Sequence, residues 1–277
     1  MRMVVINLDK SKDRLKKITK NLNDLNVEFE RFDAICGKSL YKEDIKEVTT
    51  FIGRTFLCNY GIIGCALSHI KIWNDFKKSK EDFILISEDD VFYNENLPIL
   101  LKDVDKMHKQ NDFDVLSLNC SIGIKTSLKH VKVENYELCQ PFFPLTMASY
   151  IVSRRGVEKL LKMVKKISYH VDFVIAFKNL SSQIKYYNVS NPVVLNVIKC
   201  SESNVSVVNN CILSSILKLF RLQKIDWFMS STTFTLFLKH SFSFYACILI
   251  ILMIILLVRR KTFMVLIAML EFTLLLN

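Results

Sequence analysis

Glycine and proline are scarce, with 6 Gly and 4 Pro in 277 residues. That scarcity excludes a collagen-like or low-complexity chain. No GxGxxG run and no GxxxxGK[ST] loop occurs, so a dinucleotide fingerprint and a Walker-type phosphate cradle are both missing. A GxSxG nucleophile elbow is missing too. The 8 Cys (36, 58, 65, 120, 139, 200, 211 and 247) contain no CxxC pair and no close Cys/His cluster, which argues against zinc-finger and thioredoxin-like chemistry. Free thiols acting as small core residues are therefore expected. The opening MRMVVINLDKSKDR has an apolar run of only four residues, unlike a signal peptide, so a reducing compartment is the expectation.

Hydrophobic residues make up 51% of the chain, enough for a substantial core and too many for a disordered chain. The formal charge of +11 is unevenly placed. Residues 1–120 carry 19 basic and 20 acidic side chains, whereas residues 121–277 carry 19 and 7. Without a nucleic-acid motif or a compact basic stripe with aromatics, that excess suits an anionic membrane better than a nucleic acid.

Met3–Ile6 reads as a short buried strand, followed by a helix with Leu15, Ile18, Leu22 and Leu25 on one side. Val27–Phe32 alternates as a second strand, which makes an α/β opening. Residues 61–80 form a helix with Cys65, His69 and Trp73 on neighbouring sides, and His69 is expected to be structural. Phe83–Ile86 is apolar throughout, as a central parallel strand should be. A helix over 94–110, a strand over 114–118, a basic loop over 125–132, a strand over 148–153 and a helix to about 166 follow. Beyond Asp172 the pattern weakens to one candidate strand at 192–195.

Near the end, Phe242–Val258 holds 17 residues without a formal charge, followed by Arg259-Arg260-Lys261. A helix of that length spans roughly 25 Å, short for a bilayer core of about 30 Å. A tail lying in the membrane interface fits the flanking charges better than a span.

The sharpest feature is Glu88-Asp89-Asp90, directly after the apolar strand. If the strand continues, Glu88 and Asp90 share one face and Asp89 takes the other. The carboxyl edge of a parallel sheet is where α/β folds place their ligands. Paired carboxylates there suit Mg²⁺ or Mn²⁺, which can neutralise a diphosphate. Asn7, Asp9, Arg14 and Asp33 belong to the first two strand ends, where they could meet a base, a ribose or phosphates. Asp172 lies in an apolar stretch, where a carboxylate needs a partner or a function, and it is a candidate general base.

The order of several segments resembles glycosyltransferase family 25, in its bacterial lipopolysaccharide and lipooligosaccharide branch. They are Val5-Ile6-Asn7-Leu8-Asp9 with Asp13-Arg14, Phe32-Asp33-Ala34 with Gly37, and Gly61–His69 with Trp73. Ile84–Val91, Tyr150–Gly156 with Leu160-Leu161, and Asp172 complete the series, over about residues 1–200. The resemblance implies a glycosyltransferase-A type α/β fold, with a mostly parallel central sheet flanked by helices. An apolar helical tail is added in this chain. The expected division is a catalytic domain at 1–205, a basic or amphipathic connection at 206–240 and a membrane-associated tail at 241–277.

The resemblance further implies inverting transfer of a hexose, commonly galactose from UDP-galactose, to a core sugar of lipooligosaccharide or lipopolysaccharide. Glu88-Asp89-Asp90 resembles the family's DxD metal motif, with Glu88 and Asp90 holding Mn²⁺ or Mg²⁺. Asn7, Asp9, Arg14, Asp33 and Glu88 would hold the nucleotide sugar. Asp172 is the expected base, with Asp114 as the alternate. The expected location is the cytoplasmic face of the bacterial inner membrane. The competing readings are another nucleotide-sugar transferase, an inactive membrane-associated homologue and a nucleotidyltransferase. The last would need a glycine-rich loop, and residues 7–20 contain no glycine.

Overall fold

Met3-Val4-Val5 and Ile84-Leu85-Ile86 offer no polar group to water, and in the computed structural model both runs are buried inner strands. The structure describes residues 1–118, 127–133, 136–141, 144, 147–190, 193–197, 233–236, 240–243 and 251. The chain forms two compact units, Met1–Ile198 and Lys199–Asn277.

The first unit is built on an eight-stranded sheet. Its strands are β1 (Arg2–Asn7), β2 (Glu30–Asp33), β3 (Phe83–Glu88), β5 (Val115–Ser117), β6 (Ser127–Val133), β7 (Tyr136–Pro141), β8 (Ser149–Ser153) and β9 (Tyr186–Val189). The spatial order is β2-β1-β3-β8-β5-β9-β7-β6. β1 pairs in parallel with β2 and β3, and β5 does so with β9. Only β8 and β7 run against the common direction. A separate two-stranded sheet joins β4 (Val91–Tyr93) to β10 (Val194–Val197).

Helices cover both faces of the large sheet, which is why its inner strands are apolar on both sides. Met3, Val5 and Leu85 pack with α1 (Lys12–Asp24) and α4 (Asn96–Gln110) through Ile18, Leu22, Leu97 and Leu100. Val4, Ile84 and Ile86 pack on the other face, with Ile63, Trp73 and Phe76 of α3 (Tyr60–Lys78). The same face takes Val157 and Leu160 of α5 (Arg154–Met163) and Ile175 of α6 (Val171–Leu180). The short α2 (Lys42–Val48) lies in the stretch whose sequence has no clear period. The α/β architecture, with a mostly parallel sheet flanked by helices, is as expected.

Several local readings need correction. The second strand begins at Glu30 instead of Val27. The basic stretch read as a loop is strand β6 from Ser127 onward, because it pairs along its length with β7. The weak pattern after Asp172 hides α6 and β9. β9 is buried between β5 and β7, so Tyr186 and Tyr187 are both sequestered and no alternation marks it. The described cysteines, Cys36, Cys58, Cys65 and Cys139, are free thiols, but of these only Cys139 is a buried core residue; Cys58 and Cys65 are half-buried and Cys36 is exposed.

In the second unit the structure describes a hairpin of β11 (Thr233–Leu236) and β12 (His240–Ser243). The expected apolar helix is corrected at its first residues, Phe242 and Ser243, which belong to β12. The rest of the expected 206–277 connection and tail lies almost wholly outside the described residues. Among the described residues, no helix is long and apolar enough to cross a membrane.

Candidate functional site

β1, β2 and β3 run in parallel, so their last residues, Asn7, Asp33 and Glu88, reach the same edge of the sheet. β3 ends at Glu88, and Asp89-Asp90 make the turn into β4. That turn is held from behind. The Asn21 side chain accepts from the Tyr93 backbone N–H at 2.8 Å and donates to the Tyr93 carbonyl at 3.0 Å. The Tyr93 hydroxyl meets Ser87 Oγ and Ser149 Oγ at 2.8 and 2.7 Å. These bonds fix β4 against the top of β3 and so fix the acidic turn.

The turn changes the expected roles within the triplet. Asp89 points inward: Asn7 Nδ2 donates to its Oδ2 at 2.6 Å, and Arg14 Nη1 lies 3.4 Å from its Oδ1. The strand alternation expected through Asp90 fails because the strand has already ended. Arg14 also lies 3.6 Å from Asp90 Oδ2. Asn7 in turn accepts from Arg31 Nε at 3.0 Å. Arg31 pairs with Asp33 at 2.5 Å and Asp9 at 3.6 Å, both exposed at the rim. A continuous polar relay therefore joins Asp9 and Asp33 to the acidic turn through Arg31 and Asn7. Arg31 is a site residue the sequence reading missed. Its alternation on a half-exposed strand gave no reason to single it out.

Glu88 and Asp90 are less fully served by this network than Asp89. Burial and Asp89 push both carboxyls well above the ordinary range, Glu88 adds to the effect on Asp90, and Arg14 only partly offsets it. Asp90 Oδ1 is buried and has no hydrogen-bond partner. An orphaned carboxylate oxygen beside a second raised carboxyl is what a hard divalent cation satisfies, and the donors fit Mg²⁺ or Mn²⁺.

Asp172 joins this group. It begins the first turn of α6, and its Oδ2 accepts from the Met147 backbone N–H at 3.3 Å. Burial and the Glu88 charge push its pKa up to about 6, and His69 partly offsets this. A carboxyl poised there can exchange a proton near neutral pH.

Asp114 does not join it. It stands before β5, level with Ser153 and the start of β3, about 16 Å down the sheet from Glu88 at 3.3 Å per residue. It accepts from Arg155 Nε at 2.7 Å, Lys159 Nζ at 2.6 Å and the Lys185 N–H at 2.8 Å. Its position and its partners make it a clamp of the fold.

The far wall of the site comes from α3. Asn59 caps this helix by accepting from the Ile62 N–H at 2.9 Å. A Cβ on Gly64 would lie 2.3 Å from the Ile35 carbonyl oxygen, so only glycine lets the loop after β2 pack this closely. Ser68 Oγ accepts from the Ile35 N–H at 2.8 Å and fastens the same contact. One turn later, His69 Nδ1 and Trp73 Nε1 both meet the Tyr150 hydroxyl at 2.9 Å. Burial pushes the His69 pKa down to about 4, so the ring is neutral. Its Nε2 faces Glu88 Oε1 at 3.9 Å. His69 is thus held as a structural residue should be, and it also faces the site.

Comparison with known proteins gives the family. The model of "Glycosyltransferase family 25 (LPS biosynthesis protein)" matches residues 1–175. The chain is 33% identical over 170 residues to a Haemophilus influenzae protein provisionally named a glycosyltransferase, covering 58% of this chain and 57% of that protein. It is 27% identical over 180 residues to procollagen galactosyltransferase 1-B of Xenopus laevis, covering 57% of this chain and 27% of the relative. It is 23% identical over 196 residues to the lipooligosaccharide biosynthesis protein lex-1 of Haemophilus influenzae, covering 59% of this chain and 64% of the relative. The chain thus spans less than two thirds of each of these relatives. Among solved structures, galactosyltransferase LgtC with donor and acceptor sugar analogs is similar at a TM-score of 0.37 and 11% identity, covering 67% of this chain and 73% of that one. The family match takes in β1 through the start of α6, and with it the acidic turn and Asp172: the chain belongs to glycosyltransferase family 25.

Proposed function

We propose that this chain transfers galactose from UDP-galactose, with inversion, to a core sugar of lipooligosaccharide or lipopolysaccharide. The observation that carries the reading is the acidic turn at the carboxyl edge of the sheet, where Asp90 Oδ1 is buried beside Glu88 and Arg14 with no hydrogen-bond partner. The galactose donor and the glycan acceptor are taken from the names of the relatives.

Each residue then has a stated task. Asp9, Asp33 and Arg31 form the rim that receives the nucleoside, and Asn7 and Arg14 tie that rim to the turn. Glu88 and Asp90 hold a divalent cation, and a bound Mn²⁺ or Mg²⁺ supplies charge neutralisation for the leaving diphosphate. Asp172 accepts the proton of the acceptor hydroxyl as its oxygen bonds to the anomeric carbon. The bond to UDP breaks on the opposite face, which inverts the configuration. The basic second half and the apolar stretch from 241 suit work on a lipid-linked acceptor at the cytoplasmic face of the inner membrane.

A panel of UDP-sugars with truncated lipooligosaccharide acceptors, with and without Mn²⁺, tests the reading. Turnover is expected with UDP-galactose, together with a loss of at least about 100-fold in the E88A/D90A double variant. No turnover of any sugar by folded protein, or unchanged turnover in the double variant, refutes it.

A further inference from the structure

Cys65 and His69 stand four residues apart on α3, so the helix carries both on one face. That face meets Glu88. The Cys65 thiol, a His69 ring nitrogen and a Glu88 carboxylate oxygen all lie within 4.8 Å of one another. The sequence reading passed this trio over, because only the end of β3 brings Glu88 to the Cys-x-x-x-His turn. We propose that Cys65, His69 and Glu88 bind a zinc-class divalent ion, and that occupation of this site blocks sugar transfer by taking Glu88 away. The inhibitory half of the proposal rests on the transferase reading above; the binding half does not.

The chemistry differs from that of the neighbouring oxygen site. Thiolate and imidazole favour Zn²⁺ and its relatives, whereas carboxylates alone favour Mg²⁺ and Mn²⁺. Tetrahedral zinc with bonds of 2.0–2.3 Å sets its ligand atoms roughly 3.4–3.6 Å apart. His69 Nε2 and Glu88 Oε1 are already at 3.9 Å. Small side-chain rotations close the rest. His69 also has the partner such ligands need, because its Nδ1 sits 2.9 Å from the Tyr150 hydroxyl, which Trp73 fixes in turn. Binding releases the Cys65 thiol proton, and the Glu88 proton wherever that carboxyl holds one, and leaves His69 neutral with its proton on Nδ1 towards Tyr150. Cys65 and Glu88 are both only partly buried, so an ion can enter from solvent and keep water as its fourth ligand.

Cobalt(II) added alone to the full chain is the probe. One equivalent is expected to give the near-ultraviolet thiolate-to-cobalt charge-transfer band, and Zn²⁺ should displace it. C65S and C65A, each checked for folding by thermal melting, should both lose the band and bind Zn²⁺ at least 10-fold more weakly; Y150F should weaken binding about 10- to 100-fold. In the transfer assay, Zn²⁺ should inhibit Mn²⁺-supported turnover of the wild type. C65S should keep its turnover and escape that inhibition. A wild type without the band, or an equal band in both Cys65 variants, overturns the site. If Zn²⁺ inhibits C65S as strongly as the wild type, the inhibitory role falls. If no sugar is turned over at all, the transferase reading fails while the cobalt spectrum still decides the site.

Discussion

Asp114→Asn separates two roles that sequence alone leaves open for this carboxylate. The side chain is fully buried and accepts from three donors, at 2.6 to 2.8 Å. An asparagine keeps one acceptor oxygen and turns an NH₂ towards donors that had been satisfied. Removing one partner of a buried ion pair costs about 3–5 kcal/mol. Here Arg155 keeps Asp112 at 2.6 and 2.7 Å, and Lys159 is about a third exposed, so both cations retain some solvation. A cost near the bottom of that range, about 3 kcal/mol, follows. For a domain of this size that lowers the melting temperature by roughly 6–12 °C. The assay is a thermal melt of wild type and D114N, paired with turnover measured well below both transitions. The expectation is a large drop in melting temperature with kcat within about twofold, since Asp114 is a clamp about 16 Å from the acidic turn. An unchanged melt with kcat down 100-fold would show that the structural assignment is wrong and that Asp114 is catalytic.

Asp90 should behave in the opposite sense. Its carboxyl is raised to about 7 in the folded chain, so it costs stability progressively as pH rises from the unfolded value near 4 through 7. D90N should therefore melt higher than the wild type at pH 8, with the gain vanishing near pH 4. Mn²⁺ should raise the wild-type melting point at pH 8 and leave D90N little changed; a D90N melt that falls at pH 8 contradicts the cation site. Gly64→Ala puts a methyl 2.3 Å from the Ile35 carbonyl oxygen and should cost about 1–3 kcal/mol in urea unfolding. Wild-type stability in G64A would mean that this approach is not tight. His170 has its pKa lowered to about 4 by burial, so the unfolded chain takes up its proton first as pH falls below 6.5. The contribution of His170 should therefore fall from pH 6.5 to 4, so the stability of H170N relative to the wild type should rise over that range; a pH-independent difference rules this contribution out.

The legible parts of this chain are those where one face or both faces meet a core. β1, β3 and β8 are apolar because helices cover both sides, and α1 and α3 show the helical period for the same reason. β9 and α6 were illegible because their neighbours are long-range: β9 is closed in by β5 and β7, and no local period reports such burial. The site was legible in its residue types and blurred in its geometry. Glu88-Asp89-Asp90 could be found from sequence. That the strand ends at Glu88 depends on Tyr93 being clipped by Asn21, 72 residues away. Arg31 and the Cys65–His69–Glu88 trio were missed for the same reason, since each exists only once distant strand ends share an edge.

Asp89 and Asp114 are the two carboxylates that the fold uses for itself. Asp89 is held by Asn7 and Arg14, and Asp114 by Arg155 and Lys159, with distances of 2.6 to 3.4 Å. Glu88, Asp90 and Asp172 are treated differently. Among the described residues, Arg14 is the guanidinium reaching the turn, and Asp172 accepts from the Met147 backbone N–H at 3.3 Å and from its own. Burying charge without a partner destabilises a fold unless something outside the chain returns the interaction. The excess of acid over base at this edge is what the proposed cation would offset. In the triplet, Asp89 anchors the turn through Asn7 and Arg14 and so sets where Glu88 and Asp90 stand. Replacing Asp89 should then act through the geometry of Glu88 and Asp90, and replacing either of those should act on the ligand directly.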